Sequence, residues 1–163
     1  MRAVWQPAYI GLGSNLLDPE VQVRQALRGL AELPRTLCLA VSRLYGSRPL
    51  GPVTQADFVN AAAGVLTELS ALELLQELRR MEAQAGRPAV HEHWGPRVID
   101  LDILVFGREQ LASAELTLPH PGVVERNFVL YPLADIAPDL EVPGHGQVRE
   151  LLARVSPDGV WPL

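Results

Sequence analysis

Residues 98–106 form the stretch Val98-Ile99-Asp100-Leu101-Asp102-Ile103-Leu104-Val105-Phe106, an apolar run interrupted only by two aspartates. Its β-branched and aromatic residues predict a strand. Because side chains alternate between the two faces of a strand, Asp100 and Asp102 share one face and Leu101 points to the other. The run is apolar enough for a central strand, where uncompensated charge is costly. The two carboxylates therefore need a compensating partner.

Strand and helix patterns flank this run on both sides. The pattern predicts strands at 8–15, 36–45 and 58–68, the first of them ending in a glycine-bearing loop. One helix is expected from Asp18-Pro19, a cap and a first-turn proline, to near Leu33, and another from the capping box Ser70-Ala71-Leu72-Glu73 to Gly86. Beyond the aspartate strand we expect a short hairpin arm near Gln110-Leu111 and helices at 127–135 and 148–155.

The order strand, helix, strand, strand, helix, strand matches the split β-α-β motif. It predicts an α+β, ferredoxin-like sandwich: a mostly antiparallel sheet with helices packed on one face. The length of 163 residues fits a single domain spanning 1–163. The segment Pro157-Asp158-Gly159 is expected to be loose, because all three residues favour turns.

A long stretch without periodicity separates Gly86 from Arg97. It contains two prolines, two histidines and Trp94. Structureless segments of this length in compact domains are usually functional or disordered. We therefore expect a lid loop here.

Composition narrows the classes of function. The net charge of −5 argues against a broad nucleic-acid surface, and no apolar run approaches the roughly 20 residues of a membrane span. The N-terminus lacks the pattern of an export signal, and Cys38 has no partner for an intrachain disulfide, so a cytoplasmic protein is expected. All 14 basic residues are arginines, whose planar fork suits carboxylate and phosphate, although biased residue usage explains this equally well.

Two carboxylates on one strand face, two residues apart, lie roughly 6 to 7 Å from each other. Their repulsion is roughly 3 kcal/mol at an effective dielectric near 20, which favours a bound cation or a raised pKa. Mg²⁺ prefers oxygen ligands and leaves coordination positions for water and substrate phosphate. Asp100 and Asp102 are therefore candidate magnesium ligands. The alternative is a solvated strand face with Arg97 as a surface partner, since Asp-x-Asp alone is a short motif.

The residues around the aspartates form a longer pattern that resembles the signature of the 6-hydroxymethyl-7,8-dihydropterin pyrophosphokinase family. The resemblance extends, in order, over nearly the whole chain. It rests on Trp94-Gly95-Pro96-Arg97-Val98-Ile99-Asp100-Leu101-Asp102-Ile103-Leu104, Gly11-Leu12-Gly13-Ser14-Asn15-Leu16, Pro49-Leu50-Gly51-Pro52, Phe58-Val59-Asn60-Ala61-Ala62, Leu118-Pro119-His120-Pro121 and Arg126-Asn127-Phe128.

The resemblance implies an enzyme of folate biosynthesis that transfers the diphosphate of ATP to the pterin hydroxymethyl group and releases AMP. It implies two Mg²⁺ ions on Asp100 and Asp102, and we expect a monomer. The implied catalytic residues are Arg87, Arg97, Asp100 and Asp102. The implied ATP-binding residues are Glu82, Arg87, Trp94, Arg97, His120 and Arg126. The implied pterin-binding residues are Ser47, Leu50, Gln55, Phe58, Asn60, Trp94 and Phe128.

Several of these residues also have a structural interpretation. A flat pterin requires aromatic faces and an amide in a mostly apolar slot, but Phe58 and Phe128 are equally compatible with core packing. As a cation near the end of the predicted second helix, Arg87 would interact favourably with the helix dipole and need have no other role. A lone histidine such as His120 is more often structural than functional.

The chain departs from the family pattern at three places. Pro121 replaces a tyrosine, Pro88-Ala89-Val90 replaces basic lid residues, and Arg79 replaces a glutamine of the second helix. These changes affect nucleotide affinity, the lid and any adenine contact at Arg79.

Two other classes of protein share some of these features. A ferredoxin-like small-molecule sensor would have the same architecture without needing paired carboxylates. A nucleotidyltransferase would use paired aspartates but release pyrophosphate. A P-loop kinase is disfavoured because the chain has neither a Walker glycine loop nor any lysine.

Overall fold

The computed structural model describes residues 4–52, 54–86 and 98–163. Ten strands, four α-helices and a short 3₁₀ helix occur in these ranges, and none of the helices there is long and apolar enough to cross a membrane. In chain order they are β1 Gln6–Ser14, α1 Pro19–Leu30, β2 Thr36–Val41, β3 Tyr45–Ser47, β4 Phe58–Thr67, α2 Ala71–Gln84, β5 Asp100–Phe106, β6 Leu111–Ala112, β7 Thr117–Leu118, the 3₁₀ helix Pro121–Val124, α3 Asn127–Ile136, β8 Glu141–Val142, β9 Gly146–Gln147, α4 Val148–Ala153 and β10 Val160–Pro162.

The main sheet confirms the predicted ferredoxin-like arrangement. Its strand order is β10-β3-β4-β1-β5, with β2 also paired to β4, and every pairing is antiparallel. The strand predicted at 36–45 is in fact two strands. β2 pairs with the C-terminal half of β4 and β3 with its first three residues, because the chain changes direction between Val41 and Tyr45.

Helices cover both faces of the sheet, which corrects the prediction of one covered face. One core packs α1 and α2 against inward residues of β1, β4 and β5, among them Leu30, Leu78 and Leu101. A second core packs α3 and α4 on the other face, where Leu130 and Leu133 belong to the same cluster as Leu104 and Val105 of β5. The cause is visible in β5, which is buried on both faces from Ile103 onward.

A β-bulge explains how β5 serves both cores. The β1–β5 register shifts between Tyr9, opposite Val105, and Ile10, opposite Ile103. Leu104 is the extra residue on β5, and both Leu104 and Val105 belong to the second core. A bulge re-aims side chains in this way, so Val105 joins Leu104 in the second core instead of following Leu101 and Ile103 into the first.

The helix ends follow the prediction for α2 and depart from it for α1. At α2, the Ser70 hydroxyl accepts from the Glu73 N–H at 3.1 Å and the Glu73 carboxylate accepts from the Ser70 N–H at 2.9 Å. Gly86, with φ +96°, follows the helix as expected. Asp18 has φ 62° and makes no side-chain cap, and α1 ends at Leu30 rather than Leu33. Pro19 alone marks the start of α1.

The segment Pro157-Asp158-Gly159 is held by hydrogen bonds and leads into β10, so the prediction that it is loose is wrong. The Arg48 N–H donates to the Gly159 carbonyl at 2.9 Å, and β10 then pairs with β3. The residues 157–159 do make a turn, with φ +78° at Gly159, but that turn leads into a strand.

The capping box gives a test of local stability. Ser70→Ala removes one side of the box and should lower the free energy of unfolding by about 1 kcal/mol, hence the Tm by about 2–4 °C. Leu72→Ala, at an exposed position of the same helix, is the control and should change the Tm far less. Equal shifts in thermal unfolding of the two variants would contradict the cap assignment.

Candidate active site

The two aspartates lie opposite glycines of the neighbouring strand β1. Asp100 lies opposite Gly13 of β1, which lies opposite Asn60 of β4, and Asp102 lies in the same way opposite Gly11. Residues directly opposite each other in antiparallel strands share a face. The strand spacing separates the Asp100 and Asn60 backbones by roughly 10 Å. The two carboxylates and the Asn60 amide therefore lie on one sheet face with two glycines of β1 between them, and we call this face the trough.

Both glycines lie within β1 rather than in a loop after it, and both are closely packed. A Cβ on Gly13 would lie 3.1 Å from the Asn60 amide nitrogen, and one on Gly11 would lie 3.1 Å from Leu104. Any side chain at these positions would displace the neighbours that form the trough. The sequence Gly11-Leu12-Gly13 is thus explained by its place between the aspartates and Asn60.

The two carboxylates perturb one another. Burial and, after it, the charge of Asp100 raise the pKa of Asp102 to about 7, while Arg79 and Arg126 oppose the shift. A divalent cation stabilises a carboxylate whose ionised form is disfavoured by a neighbouring carboxylate. The donor set of two carboxylates beside an open trough therefore fits Mg²⁺, which takes few protein ligands.

His120 lies beside the aspartates. Its Nδ1 accepts from the Gly122 N–H at 2.9 Å, and its Nε2 lies 3.9 Å from the nearer Asp102 oxygen. Burial lowers the pKa of His120, and the charge of Arg126 adds to this. Acceptance at Nδ1 assigns the proton to Nε2, so the neutral ring presents an N–H donor toward the trough.

Glu82 and Arg79 hold the backbone between the two aspartates. The Leu101 N–H donates to Glu82 at 2.8 Å, and Arg79 donates both to the Leu101 carbonyl and to Glu82, each at 2.9 Å. Only 1% of Glu82 is exposed. The resemblance implies that Glu82 binds ATP, which stays a prediction; in the structure its carboxylate accepts from the backbone of the aspartate strand. Sequence reasoning missed this clamp, since its partners are far apart in the chain.

Several residues expected to bind the pterin lie on the same sheet face as the aspartates. The Ser47 hydroxyl donates to the side-chain oxygen Oδ1 of Asn60 at 2.5 Å, and Phe58 lies opposite Ser47. Asn15, a residue not singled out from the sequence, is buried and donates to Gln55 at 2.6 Å. It also donates to the Ala56 carbonyl at 3.1 Å. Asn15 therefore anchors the segment that leads into β4.

A cavity of about 280 Å³ has other expected site residues in its lining. Its lining includes Leu50 from the loop after β3 and Arg126 and Phe128 from the start of α3. The Arg126 guanidinium carbon lies 6.0 Å from the Phe128 ring centroid. Residues expected to bind ATP and residues expected to bind the pterin thus meet here.

The remaining expected site residues, Arg87, Trp94 and Arg97, lie outside the described residues, as does the rest of the expected lid, including Pro88-Ala89-Val90. Within the ranges that are described, no group of three or more His, Cys, Asp or Glu side chains could hold a metal. Mg²⁺ commonly completes its coordination with water and substrate phosphate.

Comparison with known proteins identifies similar enzymes. Residues 9–138 match the model of the family 7,8-dihydro-6-hydroxymethylpterin-pyrophosphokinase (HPPK). The chain is 47% identical over 159 residues to the 2-amino-4-hydroxy-6-hydroxymethyldihydropteridine pyrophosphokinase of Pseudomonas aeruginosa, with 97% of each chain covered. It is 46% identical over 149 residues to the enzyme of the same name from Haemophilus influenzae, covering 91% of this chain and 92% of that one.

Solved structures show the same fold at lower sequence identity. The Plasmodium falciparum HPPK-DHPS bound to pteroate superposes with a TM-score of 0.72 and 15% identity. The match covers 94% of this chain and 43% of that one, so this chain spans less than half of the larger protein.

The raised pKa of Asp102 gives a pH-dependent test. A carboxyl whose pKa is higher in the folded state destabilises the fold as pH rises from its unfolded value toward about 7. Asp102→Asn should therefore raise the Tm of metal-free protein by a few degrees at pH 8, with most of the gain lost at pH 4. Asp139→Asn, at an exposed pair with Arg149, is the control. A gain that does not grow with pH would contradict the assignment.

The clamp on Leu101 gives a second test. Glu82→Ala leaves the buried Leu101 N–H without this acceptor and should lower the free energy of unfolding by about 1–3 kcal/mol. Glu77→Ala, which breaks an exposed pair with Arg80 on the same helix, should have a small effect. Urea unfolding measures both, and similar losses would show that the clamp adds nothing.

Proposed function

This chain belongs to the 7,8-dihydro-6-hydroxymethylpterin-pyrophosphokinase family, and we propose that Asp100 and Asp102 form the metal platform of its reaction. The enzyme transfers the diphosphate of ATP to the hydroxymethyl group of 6-hydroxymethyl-7,8-dihydropterin, in folate biosynthesis. The observation that carries the assignment is the trough, in which two coupled carboxylates share a sheet face with Asn60.

Kinases of this kind generally require Mg²⁺ with ATP, and we propose two ions held by Asp100 and Asp102. Bound there, Mg²⁺ neutralises charge on the phosphates and keeps the reacting oxygens in line. The carboxylate oxygens of both aspartates support this role, as does the raised pKa of Asp102 beside Asp100. A metal-bound carboxylate is a weak base, so the proposal gives Asp102 no part in removing the hydroxyl proton.

The trough explains how two substrates meet. The pterin hydroxymethyl oxygen must bond to the β-phosphorus of ATP and lose its proton to solvent, while the bond to the oxygen bridging the α-phosphate breaks and AMP leaves with that electron pair. We place the pterin at the Asn60 end and the phosphates at the aspartate end. Because β4, β1 and β5 are adjacent strands, the two proposed binding ends lie close together. The protein would promote the attack by positioning the two substrates.

We assign the other site residues by their chemistry and by resemblance. His120 offers an N–H and Arg126 a cation to the phosphates. Glu82 positions the aspartate strand. The pterin contacts are proposed to be Ser47, Leu50, Gln55, Phe58, Asn60 and Phe128, with Trp94 on the lid, and the further phosphate contacts to be Arg87, Arg97 and Trp94.

We also propose that residues 1–163 act as one domain, as a monomer in the cytoplasm. Supporting this, the described site residues lie on one sheet, on the helices packed on it or in the loops that join these elements. ATP as a substrate fits a cytoplasmic location. Sedimentation of the free protein tests the monomer.

The test of the function is product analysis. Incubation with ATP, Mg²⁺ and the pterin should yield AMP and the pterin diphosphate in equal amounts. Asp100→Ala and Asp102→Ala should each lower kcat/KM on the order of 10³-fold or more. Each variant removes a proposed ligand of the Mg²⁺ that would neutralise phosphate charge in the transition state. Asp139→Ala, an exposed control, should be near wild type.

Two outcomes would contradict the proposal. Formation of ADP or free pyrophosphate as the main product would show a different transfer. Full activity of either aspartate variant would show that the phosphates and metal bind elsewhere.

A further inference from the structure

The C-terminal segment of residues 155–162 forms the third side of the cavity described above. Val155, Ser156, Asp158 and Gly159 line it together with the loop after β3 and the first turn of α3. The cavity is therefore bounded by segments far apart in sequence. A rigid ligand fits between these segments only if other contacts hold the segments at a fixed separation.

Asn127 ties the first turn of α3 to this C-terminal segment. Its side-chain nitrogen donates to the Ser156 carbonyl at 2.8 Å and to the Asp158 carbonyl at 2.7 Å. An amide has two N–H donors, so both are committed. The Asp158 N–H in turn donates to the Ser156 hydroxyl at 3.1 Å, which closes the turn. Asn127 stands between Arg126 and Phe128 in the chain.

The same segment is tied to β3 and to the loop after it. The Arg48 N–H donates to Gly159, and Val160 pairs with Ser47. The indole of Trp161 lies directly over Gly46, since a Cβ there would be 2.4 Å from the ring. The Leu163 N–H adds a bond to the Leu44 carbonyl at 3.0 Å. One short segment thus joins α3 to β3.

We propose that Asn127 and residues 155–162 are positioning elements that set the distance between Phe128 and the Ser47–Leu50 segment. They determine pterin affinity without forming the bonds of the reaction. This rests on the proposed assignment of Ser47, Leu50 and Phe128 to the pterin site. A flat, rigid ligand tolerates little change in the spacing of its walls, because small misplacements cost much affinity and rate.

The experiment compares kinetic constants with the exchange of backbone amides. Asn127→Ala should raise the KM for the pterin about ten-fold while kcat and the KM for ATP stay within about two-fold. Asn127→Asp keeps the shape but turns an oxygen toward two carbonyls, so the same rise is expected. Hydrogen exchange at the Arg48 and Leu163 amides should quicken in both variants. Arg149→Ala, which breaks an exposed ion pair outside the cavity, should match the wild type.

Two results would overturn the proposal. One is faster exchange with an unchanged pterin KM, which would make the segment plain packing. The other is a lower kcat, a higher KM for both substrates and a lower Tm together, which would indicate general destabilisation. Phe128→Ala tests the pterin assignment separately: an unchanged pterin KM there would refute the assignment itself, whatever Asn127 does.

Discussion

The two-residue period of β5 is the constraint on which the rest of the structure depends. It sends Leu101 and Ile103 into a core shared with α1 and α2 and leaves Asp100 and Asp102 together on the opposite face. The register with β1 then determines which residues lie beside the carboxylates, and glycines occupy both positions. A shift of one residue in either strand would bury the carboxylates.

The site is arranged at a cost to stability. Two coupled carboxylates, one with a strongly raised pKa, would be replaced by apolar or amide groups if only folding mattered. The surrounding structure offsets this cost locally. Glu82 and Arg79 satisfy the Leu101 peptide, which holds the backbone between the aspartates. The result is one sheet face that carries both carboxylates and Asn60.

Much of this was predictable from local sequence. Period two in residues 98–106, helical spacing and the capping box at Ser70 predicted the main elements, and the signature around the aspartates predicted the family. The family match also removes the sensor and the nucleotidyltransferase as alternatives. The assignment of individual residues to ATP or pterin stays a prediction.

What the sequence did not predict depends on distant partners. β10 has three residues, too few for an alternating pattern, and turn formers precede it. Glu82 is an acidic residue on a helix, and only the strand 19 residues later makes it a buried acceptor. Packing of α3 on the second face is a long-range contact, chiefly with β4, and no local pattern shows it. Asp18 could not be recognised as left-handed, because aspartate also favours ordinary caps.

Crystals of the protein grown with Mn²⁺ and a non-hydrolysable ATP analogue test the central claim most directly, because Mn²⁺ can be located by anomalous diffraction. The account predicts Mn²⁺ within about 2.2 Å of carboxylate oxygens of both Asp100 and Asp102, with the analogue's phosphates over Gly11 and Gly13. Manganese bound only elsewhere, with the phosphates away from β5, would contradict it.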